Sequence, residues 1–311
     1  MGIKKFISLT ALFIALVFSI DFLAAEALSH FVIQHQTDKR LERLMTKKED
    51  SEIVIFGSSR AARDIIAKDL SENLKVKAFN YGAPGSNIDY HETLLQYLVN
   101  NENYQTKLII LPLDECEEFF DGMAIAYRLD KLYPWANYDM ARNTIREREP
   151  FTYLSFSKSY SYKKCDLAAL YSSRGAILPV DTVKEFGSMP LTFKSITFDT
   201  LKYAPYANYD VSKENPELIK KFLSFVNICK EHNMNLLLLL PPNYFPKTSI
   251  FKERLTPLTA GKTWVHLYEE QNEIFKSKEY YYDKSHLDSK GAALFTNNVT
   301  NFIKSNNLLA K

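Results

Sequence analysis

Ile53-Val54-Ile55-Phe56-Gly57-Ser58-Ser59-Arg60 is the stretch whose reading decides the fold. Four apolar residues make a short buried strand. Gly57 has no Cβ to clash and permits a sharp turn. Ser58 and Ser59 can cap the helix expected over Ala61 to Asp69 with their hydroxyls. A serine in such a turn stands at the carboxyl end of a strand, where open α/β sheets bind ligands. It also stands beside a helix N-terminus, which favours developing negative charge. Ser59 is therefore either a helix cap or a nucleophile, and only partners elsewhere in the chain can decide between them.

Working outward, apolar strands alternate with amphipathic helices. Strands are expected at Glu52 to Phe56, Val76 to Tyr81, Leu108 to Leu113, Leu236 to Leu240 and Thr263 to Tyr268. Helices are expected at Asn87 to Asn100, Asn215 to His232 and Ser289 to Ile303. The runs at 108–113 and 236–240 are apolar throughout, as buried parallel strands require. The alternation predicts an α/β fold with a parallel sheet covered on both faces. The chain has 311 residues, enough for one large or two ordinary domains. Its formal net charge of +2 leaves no electrostatic footprint for nucleic acid.

Two regions break the alternation. From about residue 115 to 215 the chain is rich in aromatics, including Phe119, Phe120, Tyr153, Phe156, Tyr160, Tyr162 and Tyr171. A connection this long is read as an insertion over the strand ends. Its aromatics either line a cleft for carbohydrate or lipid-linked substrate, or pack the insertion itself. At the other break, Lys4 and Lys5 precede an apolar run from Phe6 to Ile20, then Asp21 and Phe22-Leu23-Ala24-Ala25. Residues 1–28 read as a signal anchor whose basic flank stays inside, with the body outside. The alternative is a signal peptide cut near Ala25-Glu26-Ala27. Residues 29–50 read as a short helical stalk or as an ordinary first helix of the globular body, and 51–311 as the globular domain carrying the insertion.

Chemistry-bearing residues fall at the expected strand ends. After the second strand comes Asn80-Tyr81-Gly82-Ala83-Pro84-Gly85-Ser86-Asn87, whose glycines let backbone approach a ligand and whose Asn87 can cap the next helix. Near the C-terminus Asp283 and His286 lie three apart in a loop. That spacing lets the carboxylate hold Nδ1–H of the imidazole while Nε2 faces a serine hydroxyl. The roles divide as nucleophile Ser59, base His286 and orienting acid Asp283, and a backbone N–H from the 80–87 loop could join that of Ser59 to bind an oxyanion. His30, His35, His91, His232 and His266 show no paired-ligand spacing, so no metal or other cofactor is expected. His91 and His232 are read as surface residues and His266 as a packed one. Cys116, Cys165 and Cys229 form no disulfide framework, although one bridge among them is open.

With these blocks in this order the chain resembles the SGNH hydrolase superfamily, also called GDSL-like esterases. Gly57-Ser58-Ser59 matches the first block, Asn80, Gly82 and Gly85 the second, and Asp283 with His286 the last. The resemblance implies a flavodoxin-like three-layer sandwich and a serine acyl-transfer mechanism. It also implies that Gly85 N–H is an oxyanion donor. The third block departs: Leu111-Pro112-Leu113-Asp114-Glu115 stands where the family carries an asparagine that donates to the oxyanion. Asn243, after Pro241-Pro242, is a candidate replacement.

With its anchor, the chain looks like the membrane-tethered subgroup that works in teichoic-acid D-alanylation and alginate acetylation. That likeness implies an extracytoplasmic esterase or O-acyltransferase. Its substrate would be an acylated polysaccharide or other cell-envelope polymer, and its partner a membrane-bound O-acyltransferase. The alternative is an accessory protein that binds polymer or that partner without turnover.

Overall fold

The structure, a computed structural model, describes residues 2–36, 38–115, 118–122, 125–149, 157–162, 165, 182–196, 198–200, 209–244 and 250–310. Cys116, Tyr153, Phe156 and Tyr171 lie outside the described residues. The chain divides into two compact units, one formed by 1–46 with 128–177, the other by 47–127 with 178–311.

In the first unit α1 (Ile3–His35) is by length and composition able to cross a membrane. Its early apolar side chains are exposed, Ile3, Phe6, Ile14 and Phe18 among them. Its later part is covered: Ala25, Ser29 and Val32 are buried. Asp21 accepts from the hydroxyls of Ser157 (2.5 Å) and Ser159 (2.6 Å) and from the N–H groups of Lys158 (2.7 Å) and Ser159 (3.2 Å). A short helix, α2 (Arg40–Met45), follows.

The second unit holds a parallel sheet. β1 (Ile53–Ile55) leads into α3 (Ser59–Asp64) and α4 (Ala67–Leu74), then β2 (Ala78–Asn80), α5 (Ile88–Val99) and β3 (Leu108–Pro112). In the first unit α6 (Asp139–Arg148) intervenes. The sheet unit resumes with α7 (Pro216–Glu231), β4 (Asn235–Leu240), α8 (Ile250–Thr259), β5 (Val265–Glu269) and α9 (Ser289–Ser305). The strand order is β2-β1-β3-β4-β5, all parallel. This is the doubly wound order whose switch point lies between β1 and β3, the place where such sheets take ligands. The expected α/β class with a parallel sheet is what the chain forms.

Alternation along β1 explains the layers. Ile53 and Ile55 pack with Ala61, Leu70, Phe295 and Val299 of α3, α4 and α9 on one face. Phe56 meets Phe225 of α7 edge-on at 6.2 Å. Ile53, Val54, Ile55 and Leu236–Leu239 are fully buried. Each such side chain contributes roughly 1.5–3 kcal/mol relative to exposure.

One helix departs from expectation. The helix over Ala61 to Asp69 is broken at Ile65-Ile66, both extended at the junction of α3 and α4. The cause is tertiary. Asn80 Nδ2 takes the carbonyls of Ala61 (2.7 Å) and Ile65 (3.0 Å), and Thr296 Oγ1 accepts from Ile66 N–H (3.0 Å). Several described aromatics of the interval pack inward, while Phe193 is exposed. Phe119 is buried against Phe222 and Phe251, Phe120 stacks on Tyr209 at 5.0 Å, and Tyr162 is buried.

Candidate active site

Two residues beyond β1 stands Gly57, whose φ of +137° suits glycine alone. A Cβ there would stand 2.7 Å from Ala61 Cβ. The turn is pinned on both sides: Phe56 N–H donates to Ile110 O (3.0 Å) and Ala83 N–H donates to Gly57 O (2.9 Å). The second bond brings the loop carrying Gly85 against the turn before Ser59.

Ser59 opens α3 and does not cap it. Its Oγ lies 2.7 Å from His286 Nε2. Ser58 stands at the N-cap position, but its side chain makes no capping bond and its buried Oγ has no hydrogen-bond partner among the described residues. The expectation of two capping hydroxyls is corrected on both counts. The extended backbone of Ser58 (φ −78°, ψ −152°) turns its side chain into the core, where its exposure is zero.

His286 Nδ1 lies 2.9 Å from Asp283 Oδ2 and 3.0 Å from Oδ1. Asp283 Oδ1 also accepts from the N–H groups of Ser285 and His286, both at 2.9 Å. Burial alone would raise the Asp283 pKa. The hydrogen bond and charge of His286, with the two N–H groups, outweigh burial and hold it at about 2. An ionised Asp283 accepts only, so His286 carries its proton on Nδ1 and presents the Nε2 lone pair to the Ser59 hydroxyl. Sequence reading placed these three groups together, and the structure puts both pairs within hydrogen-bond reach. The imidazole and carboxylate are 17% and 25% exposed, so a small molecule can reach them. The arrangement can deprotonate a serine hydroxyl as it attacks an electrophile.

Around this line the sequence reading missed several residues. Arg60 and Asp64 are buried one turn apart on α3, Nε to Oδ2 3.6 Å. Asp64 Oδ1 accepts from Leu287 N–H (3.0 Å). Burial pushes the Asp64 pKa up to about 6 against the pull of Arg60 and His286. Arg60 donates to Asn243 Oδ1 (2.5 Å) and to Pro242 O (2.7 Å). The signal available was the arginine–aspartate pair at i, i+4 directly after Ser59.

Beneath the Gly85 loop sits a second cluster. Ser86 Oγ lies 2.8 Å from His91 Nε2, and His91 Nδ1 lies 4.0 Å from Glu118 Oε1. All three are buried, so the reading of His91 as a surface residue is corrected. Nine residues of α5, polar ones included, are buried, so its periodicity gave no warning. His232 is half-buried and bonded to Tyr104 OH at 2.8 Å. Asn80 Oδ1 accepts from Gly82 N–H (2.8 Å), and a Cβ on Gly82 would come 2.4 Å from Ala62 N. Those two residues shape the loop. Asn87 caps α5 through Tyr90 N–H. At the departing block, Asp114 N–H donates to Glu118 Oε2 (3.1 Å). Cys165 and Cys229 are free thiols.

No family model and no curated protein matches the chain. A solved structure described as "a putative platelet activating factor from Streptococcus pneumonia" is similar over 94% of this chain and 99% of that chain. The two are 10% identical, with a TM-score of 0.42. At that score the likeness carries no weight for activity.

Proposed function

We propose that the chain is an SGNH-type serine acyl-esterase or O-acyltransferase, anchored by α1, that acts outside the membrane on an acylated cell-surface polymer. One observation carries the reading: Ser59 Oγ, His286 and Asp283 lie in one hydrogen-bonded line at 2.7 and 2.9 Å. That line stands at the carboxyl end of β1, beside the switch point of the sheet.

Ser59 Oγ attacks the ester carbonyl carbon and its proton passes to His286 Nε2. The oxyanion is met by the N–H groups of Ser59 and Gly85 and by the amide of Asn243. Collapse of the tetrahedral intermediate expels the alcohol, which takes the proton from His286. Water or a sugar hydroxyl, deprotonated by the same imidazole, then attacks the acyl carbon, and Ser59 Oγ leaves as it takes that proton back from His286. Asp283 stays ionised and stabilises the imidazolium.

The course of α1 supports an anchor over a cleaved signal. Ala25-Glu26-Ala27 lies within the helix, Ala25 is buried, and Asn137 Nδ2 donates to Glu26 at 3.3 Å. A processing site needs extended, reachable backbone. The mature protein is expected to retain Asp21, and an intact mass beginning at Ala27 or beyond would refute the anchor.

The test of chemistry is labelling by a fluorophosphonate probe. Wild type is expected to react at Ser59 and Ser59→Ala not at all; equal labelling would overturn the proposal. The accessory reading rests on Asp114 standing where a donor is expected. It predicts that a Ser59→Ala allele fully restores surface-polymer acylation in cells lacking the protein.

A further inference from the structure

Resting on the nucleophile reading above, we infer that Arg60 and Asp64 are positioning residues that set both partners of Ser59: Asp64 fixes the His286 loop, and Arg60 turns the amide of Asn243 so that its NH₂ is the third oxyanion donor.

Both charges are buried, Arg60 at 1% exposure and Asp64 at zero, on the helix that begins with Ser59. A buried ion pair is a poor device for stability, because apolar residues of the same volume often serve as well or better. What distinguishes this pair is where its remaining hydrogen bonds go. Asp64 Oδ1 takes the N–H of Leu287, the residue after His286 (3.0 Å). The Arg60 fork takes Asn243 Oδ1 (2.5 Å) and Pro242 O (2.7 Å), beyond the end of β4. The two captured loops also meet each other, Tyr244 N–H donating to Lys284 O at 3.3 Å. One helix thus carries the nucleophile and the two groups that register its neighbours.

The chemistry of the fork decides the amide. A guanidinium only donates, so the Asn243 atom facing it must be the carbonyl oxygen. What remains of the side chain is a two-proton donor. That is the group the third block lacks, since Leu113-Asp114 supplies no amide there. Lysine could not replace Arg60, because a point charge cannot hold Oδ1 and a backbone carbonyl in one plane.

The experiment uses the full chain in detergent, with an acetyl ester of a chromogenic alcohol and a fluorophosphonate as the two readouts. Asn243→Ala is expected to lower kcat by about 10²- to 10³-fold with KM nearly unchanged, the loss typical of one oxyanion donor. Asn243→Asp is the decisive variant. Its carboxylate pairs with Arg60 at least as well, so thermal unfolding should not fall, yet it donates nothing and kcat should drop as for alanine. Arg60→Lys should lower kcat, and Arg60→Lys with Asn243→Ala should be no worse than Asn243→Ala alone, since residues acting through one another are not additive. Asp64→Asn should lower kcat with KM unchanged. An Asn243→Asp enzyme as active as wild type overturns the inference, as does a double variant whose loss is the product of the single losses. In those cases wild type still labels at Ser59 and the nucleophile reading stands. A wild type that neither labels nor turns over overturns both.

Discussion

A serine, a histidine and a carboxylate lie in line at two places in the sheet unit, and the two lines are electrostatic opposites. In Ser59–His286–Asp283 both gaps are hydrogen bonds, and Asp283 is held ionised at about 2. In Ser86–His91–Glu118 the exposures are 0%, 1% and 0%, and the second gap is 4.0 Å. Burial pushes His91 down to about 3 and Glu118 up to about 8, so this line is neutral at pH 7. The direction of the serine bond is reversed as well. Ser86 Oγ donates to Ala83 O at 2.6 Å, so its bond to His91 is one it accepts, from Nε2–H. An imidazole that gives a proton to a hydroxyl cannot also take that hydroxyl's proton. On the proposed reading, serine, histidine and a carboxylate therefore make a base-activated nucleophile where the carboxylate is ionised and partly exposed. Where it is buried and neutral they make a brace under the Gly85 loop.

The sharpest way to break this contrast is to delete each serine. Ser59→Ala is expected to lower ester turnover by roughly 10³- to 10⁶-fold, whereas Ser86→Ala loses about tenfold or less through a looser loop. Peptide mapping of the fluorophosphonate adduct checks it, and label on Ser86 would erase the distinction. The acids come next. Asp283→Asn should cost on the order of 10⁴ in kcat by forcing the wrong tautomer. Glu118→Gln, which keeps a neutral side chain, should change kcat by about threefold or less.

The smallest effect is on stability against pH. Glu118 in the folded chain binds its proton up to about 8, against 4.5 as its ordinary value. The unfolded chain therefore ionises first, and the stability from this group declines as pH rises from 4.5 to 8. His91 is depressed to about 3 from 6.5, so its contribution is present above 6.5 and is lost as pH falls towards 3. Melting temperatures across pH 4 to 8 should show Glu118→Gln flattening the alkaline fall and His91→Gln the acid one. Two parallel curves for a variant and wild type would show that its group does not titrate as described.

Much of the first line was legible and almost none of the second. Continuous apolar strands, Gly57 and the Asp283-x-x-His286 spacing are local patterns with one physical meaning each. His91 reads as a polar residue on an amphipathic helix, because nothing local says that α7 and the loop around Glu118 cover that side. Ser86 and Glu118 lie 32 residues apart with no period between them. The break at Ile65-Ile66 was hidden for the same reason. The stretch is helix-compatible in isolation, and the competing partners, Asn80 and Thr296, come from β2 and α9. Arg60 and Asp64 were visible as a helical pair, yet their targets at 242–243 and 287 were not.

The grip of Asp21 on residues 157–159 bears on how the protein should be prepared. A shortened chain for work in solution would naturally start after the apolar run, near Ala27. That cut removes the acceptor of two backbone N–H groups and two hydroxyls, together with buried Ala25. Beginning at Ile20 or earlier keeps the carboxylate and the covered turn of the helix, and discards side chains that are exposed. The useful soluble boundary is thus set by a carboxylate inside the helix, several residues upstream of where hydropathy alone would place the cut.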